Sequence, residues 1–142
     1  MGIIYSILAG LSVCIQGAFN SRVSEKAGLW ETTTLVHGVG FLASLVVLLF
    51  AGSGDFRKLG QVNFLYLLGG AVGVVIVYSF MRSISLLGMT FAVALMLITQ
   101  LAAASIIDNF GLFGCSVIKF DITKFLGLAV MIAGIVIFKI KG

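Results

Sequence analysis

The sequence predicts an all-α membrane protein, a single domain over residues 1–142 with five transmembrane helices per chain, and three observations predict it. Apolar residues make up 61% of the 142 and charged residues only 10%, with a mean hydropathy of +1.23. Soluble domains carry about 45–50% and about 25%. One small core cannot hide that much apolar surface from water, so the excess faces lipid. Second, five apolar stretches are each long enough to cross hydrocarbon, which takes about 20 helical residues. Third, runs such as Leu45-Val46-Val47-Leu48-Leu49-Phe50 do not alternate, as the roughly ten-residue strands of a membrane barrel must. Helices also satisfy their own backbone hydrogen bonds, which lipid cannot do.

The predicted spans are about 3–20, 32–51, 64–87, 89–107 and 122–140. No Lys or Arg precedes Gly2 to Phe19, and membrane-like sequence follows, so a cleaved signal is not expected. Met1 to Ser6 fits the loose myristoylation pattern, but an anchor adds nothing to a chain that already spans. The polar residues fall in three connections, Ser21 to Glu31, Gly52 to Gln61 and Asp108 to Asp121, while only Leu87-Gly88 separates the third and fourth spans. Asn109 to Lys119, broken by Gly111 and Gly114, reads as an interfacial loop and not as a sixth span. With no proline and 18 glycines, the helices are expected to be unkinked and closely packed. Gly69 and Gly73 form a Gly-xxx-Gly face, and Gly10/Gly17 and Gly127/Gly134 recur at seven, so helix packing is their expected role.

A formal charge of +4 and a pI near 9.3 read as membrane-flanking cations, not as a nucleic-acid surface. Cys14 and Cys115 stand far apart with no CxxC and no Cys/His cluster, so neither a disulfide framework nor a zinc site is indicated, and no cofactor is implied. No nucleophile–base pair or metal-ligand set is visible, which leaves an enzyme as the least favoured class.

Five spans put the termini on opposite sides. One side then collects Arg57, Lys58, Lys119 and Lys124, four cations, and the other Arg22, Lys26, Arg82, Lys139 and Lys141, five. If Arg82 lies inside the third span, the count becomes four against four. Lys and Arg bias is what sets orientation, so a near-tie lets the chain insert both ways up. Two copies of opposite orientation then pair about an axis in the membrane plane, the architecture of alternating-access transporters.

Ser12, Gln16 and Asn20 recur every four positions and share one face of the first span. They read either as helix-to-helix hydrogen bonds or as the lining of a polar cavity. His37 lies in the second span beside Gly38 and Gly40, with Thr33 and Ser44 on a similar face; an intramembrane His is a functional candidate, and the alternative is a hydrogen-bonded helix contact. Thr99-Gln100 falls near the middle to inner third of the fourth span. Asp108 and Glu31 abut spans as structural or coupling groups, with Asp108 expected to cap the turn at Asn109-Phe110-Gly111. No acid lies deep in a span, where a proton-coupled cation exporter would hold one. Trp30, Tyr5, Tyr66 and Tyr78 fit interfacial aromatic belts, and Tyr78 and Trp30 are also candidates to stack on a ligand cation.

Leu11-Ser12 with Gln16 and Asn20, Gly40, Gly69-Gly70 with Gly73, and above all Gln100-Leu101 followed by Ile107-Asp108-Asn109-Phe110-Gly111 resemble the YdcZ-like family of small bacterial inner-membrane proteins, placed in the drug/metabolite transporter superfamily. The resemblance covers essentially the whole chain and implies a five-helix half of a ten-helix transporter. It also implies assembly as an inverted dimer, sometimes from two different chains, and a role as an exporter in the bacterial inner membrane. Gln16, Asn20, Gln100 and Asp108 match family positions; His37-Gly38 stands where a small polar or apolar pair is expected. Small multidrug exporters carry a deep glutamate in their first helix, where this chain has Gln16.

The expected function is alternating-access transport of a small polar or amphipathic solute by an antiparallel homodimer, or by a pair with a related second chain, with Ser12, Gln16, Asn20, His37, Tyr78 and Gln100 lining the cavity. A dimeric ion channel and a non-transporting accessory membrane protein are the alternatives.

Overall fold

A computed structural model describes residues 1–119 and 121–140. All regular elements among them are helical: α1 (Gly2–Ala27), α2 (Leu29–Ala51), α3 (Phe64–Leu67), α4 (Gly69–Leu87), α5 (Met89–Phe110) and α6 (Ile122–Ile140). Five segments have the length and apolarity to cross a membrane: α1, α2, Phe64–Leu87, α5 and α6. Lys141, counted above among the cations, lies outside the described residues.

The chain divides into two compact units, Met1–Leu86 and a second that begins at Leu87. In the first, α1 and α2 fold back on one another. The expected loop from Ser21 to Glu31 is not there, because α1 continues through Ala27 and α2 begins at Leu29. Ser21, Arg22, Ser24, Glu25 and Lys26 are polar but compatible with a helix, so they carry α1 out of the hydrocarbon without unwinding it. Gly28 alone makes the turn, with φ 98° and ψ 159°. That backbone region is essentially open only to glycine. Its N–H donates to the Ser24 carbonyl, closing α1, and its own carbonyl accepts from the Thr32 N–H, opening α2. Glu31 folds its carboxylate back over Gly28, in the first turn of α2 where the helix dipole favours an anion.

The third span is interrupted, contrary to the expectation of unkinked helices. Asn63 caps α3 by accepting from the Leu65 N–H at 3.0 Å, and α3 ends after one turn at Leu68, whose ψ is 0°. The break lies immediately before Gly69-Gly70, where two residues without side chains leave the helix weakly supported. Proline is therefore not required for an interruption here. Arg82 lies within α4.

In the second unit α5 and α6 pack as an antiparallel hairpin. Gly88, with φ 82° and ψ 159°, precedes α5 in the same glycine-only conformation as Gly28. The left-handed Gly111 closes α5, donating to the carbonyls of Asp108 and Ile107. The Asp108 carbonyl also accepts from the Ile118 N–H at 3.0 Å, which ties the following loop to the end of the helix. Among its described residues that loop contains one short 3₁₀ turn, Leu112–Gly114, and no sixth span. The Asp121 carboxylate accepts from the Ile122 N–H and starts α6.

Burial is reversed relative to a soluble fold. Among the described residues the buried ones are Gly17, Asn20, Ser21, Thr32, Thr33, Phe80, Met81 and Ala92, whereas large apolar side chains such as Phe50, 89% exposed, face outward. This is the distribution expected where the surrounding medium is hydrocarbon.

Candidate functional site

The first unit is joined by three contacts from α4, and each involves a residue without much side chain or a flat ring. The Phe80 ring lies against the α1 backbone at Gly17, close enough that a Cβ there would collide with it. Tyr78 stacks on Trp30, with ring centroids 4.3 Å apart and an interplanar angle of 27°. His37 directs Nε2 at Gly73, where a Cβ would come within 3.3 Å of it. Trp30 and His37 are seven residues apart on α2 and so lie on nearly the same face, with Thr33 between them.

The histidine ring is fixed from its other side. Nδ1 lies 2.8 Å from the Thr33 carbonyl oxygen. A carbonyl can only accept, so Nδ1 is the donor in this bond, and Nε2 is the ring nitrogen that faces α4. A Cβ at Gly38 or Gly40, beside His37 in sequence, would meet nothing within 4 Å. The glycine that admits the ring is Gly73, on a different helix.

The threonines before His37 are buried without unpaired hydroxyls. Thr32, 0% exposed, donates to the Gly28 carbonyl at 2.7 Å, and Thr33, 2% exposed, donates to that of Leu29 at 2.7 Å. Back-bonding of this kind lets a hydroxyl enter an apolar environment with its donor satisfied. Asn20, 8% exposed, and Ser21 are the buried polar residues of α1.

The polar face of α1 is divided. Asn20 is buried, but Gln16 and Ser12, one and two turns away, are exposed. Gln100 is exposed as well, at the middle of α5, and the neighbouring Thr99 hydroxyl donates to the Leu95 carbonyl at 2.9 Å. Of the predicted cavity residues, then, Asn20, His37 and Tyr78 sit at least partly within the first unit, while Ser12, Gln16 and Gln100 lie on the outside of the chain. Glu31 belongs to the Gly28 turn, and the Asp108 backbone holds the loop after α5. Among the predicted packing glycines Gly73 meets another helix, whereas a Cβ on Gly69, Gly127 or Gly134 would meet nothing within 4 Å.

Sequence reasoning did not find the Phe80–Gly17 contact or the pairing of Trp30 with Tyr78. Both are matches between helices, and no period within one helix reports them. Phe80 and Met81 are adjacent buried residues in α4, followed by exposed Arg82.

Five apolar helices with an outward-facing apolar surface define a multi-pass integral membrane protein. Residues 1–137 match the family described as "Putative inner membrane exporter, YdcZ", and the chain belongs to that family. Its location is accordingly the inner membrane. No curated protein and no solved structure matches the chain.

Proposed function

We propose that two copies of this chain, inserted in opposite orientations, form a ten-helix carrier that exports a small polar or amphipathic solute by alternating access. Membership in a family described as exporters supports the direction of transport. The observation that carries the assembly is the exposed amide of Gln100 at the middle of α5, on a helix otherwise apolar enough to span. A primary amide facing hydrocarbon without a partner is costly, and polar groups at this depth are expected to face a bundle interior or a wet cavity. Exposed Gln16 and Ser12 make the same demand on α1. A second protomer that covers these faces turns the three residues away from lipid.

Such a cavity recognises its solute through amide and imidazole dipoles, since no carboxylate lies deep in a span. The chain acts as a carrier and not as an enzyme. The near-equal sharing of Lys and Arg between the two faces, four against five, supports dual orientation.

The test is Gln100→Ala in proteoliposomes, with a panel of polar and amphipathic solutes and cross-linking to follow the dimer. Loss of transport with the dimer intact is the expected result. Normal transport by Gln100→Ala would overturn the proposed site, and protomers cross-linked only in parallel would overturn the assembly.

A further inference from the structure

An apolar groove of about 470 Å³ runs along the α5–α6 hairpin, a volume within the range of ligand sites, roughly 300–1,000 Å³. Its lining follows the antiparallel register, pairing Phe91 with Lys139, Leu95 with Ile135 and Ile98 with Ile132. One end is therefore cationic and the remainder hydrocarbon. The Lys139 ammonium lies over the Phe91 ring, 4.3 Å from its centroid, which fixes the charge at the mouth of the groove.

The surrounding charges are one-sided. Lys139 is in the last turn of α6, at the end of the fifth candidate span, and among the described residues it pairs with no carboxylate. Asp108 and Asp121, the acids of this unit, stand at the opposite end of the hairpin, after α5 and before α6. Phe91 and Lys139 also line a smaller cavity of about 290 Å³, beside Gly88, Met89 and Thr90. A headgroup has space there. From Phe91 to Ile98 the groove follows seven residues of helix, about 10 Å at 1.5 Å per residue. That depth lies within one leaflet, about 15 Å or half the hydrocarbon core, as suits an acyl chain entering from the surface and not a solute crossing the bilayer.

We infer that this groove holds one acyl chain of an anionic bilayer phospholipid, whose phosphate pairs with Lys139. The lipid acts as a fixed element of the α5–α6 surface, and its retention is a property separate from transport.

The full-length protein, stripped of lipid in detergent, is titrated with phosphatidylglycerol or with phosphatidylcholine carrying the same tails, and bound lipid is read by native mass spectrometry. Phosphatidylglycerol is expected to be retained about fivefold more strongly, which corresponds to about 1 kcal/mol for one lysine at an anionic surface. Lys139→Gln removes the preference, and Lys139→Arg keeps it. Ile135→Trp, which fills the groove, lowers retention of both lipids. Glycerol phosphate, a headgroup without tails, does not compete. Equal retention of the two lipids, an unchanged preference in Lys139→Gln, or displacement by glycerol phosphate would overturn the inference. So would a Lys139→Gln chain that keeps its lipid and loses its dimer, which would make the groove a contact with a second copy.

Discussion

The Phe80 ring of α4 occupies the space in which a side chain at Gly17 of α1 would stand. This contact attaches the third span to the first, and it makes Gly17 intolerant of volume where other glycines of the same unit are not. Gly17→Leu is expected to cost about 1–3 kcal/mol, the usual range for overpacking. Gly38→Ala meets open space and should be neutral or slightly stabilising through helix propensity. Thermal unfolding in detergent compares the two; equal stabilities would show that the Phe80 contact carries no weight.

Gly28 and Gly88 share one conformation but differ in surroundings. A Cβ on Gly28 would strike the Glu31 carboxylate, while one on Gly88 would meet nothing within 4 Å. Alanine at Gly88 therefore isolates backbone strain, about 1–3 kcal/mol, and alanine at Gly28 adds a collision. Both variants should unfold earlier than the parent chain. In a Glu31→Ala background the two penalties should converge.

The Trp30–Tyr78 stack joins α2 to α4, and these two helices meet through side chains without close backbone approach. A double-mutant cycle with Trp30→Ala and Tyr78→Ala should give a coupling of about 0.5–1.5 kcal/mol, as for other offset aromatic pairs. Additive single effects would mean that the two rings serve only as interfacial anchors.

Cys115 is exposed in the loop between α5 and α6, and Cys14 is exposed on α1 within the first span. In a Cys14→Ala background, a membrane-impermeant maleimide should label Cys115 from either side of the membrane, with roughly comparable fractions if insertion is dual. Labelling from one side alone would rule out opposite orientations of the same chain and direct attention to a related second chain.

The five spans were legible because hydropathy reports apolar surface, and nearly every large apolar residue of the spans is exposed at the surface of the chain. The same measure misplaced the first connection. It reads polarity, and Arg22, Glu25 and Lys26 are polar while still helical; only Gly28 carries a conformational signal, and it lies among residues that look equally loop-like. The break at Leu68 was hidden for a related reason, since Gly69-Gly70 fits both a packing face and a weak point. Candidate site residues were found by type, an amide or an imidazole in an apolar run. Their partners were not, because the glycine opposite His37 is 36 positions away on another helix. A glycine reveals which ring it accommodates only once the helices are assembled.

The one-residue link at Gly28 leaves no slack between the first two spans. A chain leaving the ribosome cannot settle α1 in the bilayer and afterwards choose independently for α2: the pair enters as one wedge, and whichever way the first helix commits, the second is bound to follow. Any even division between up and down populations must accordingly concern the pair as a unit, with Arg22 and Lys26 near its turn offset by the cations of the later connections.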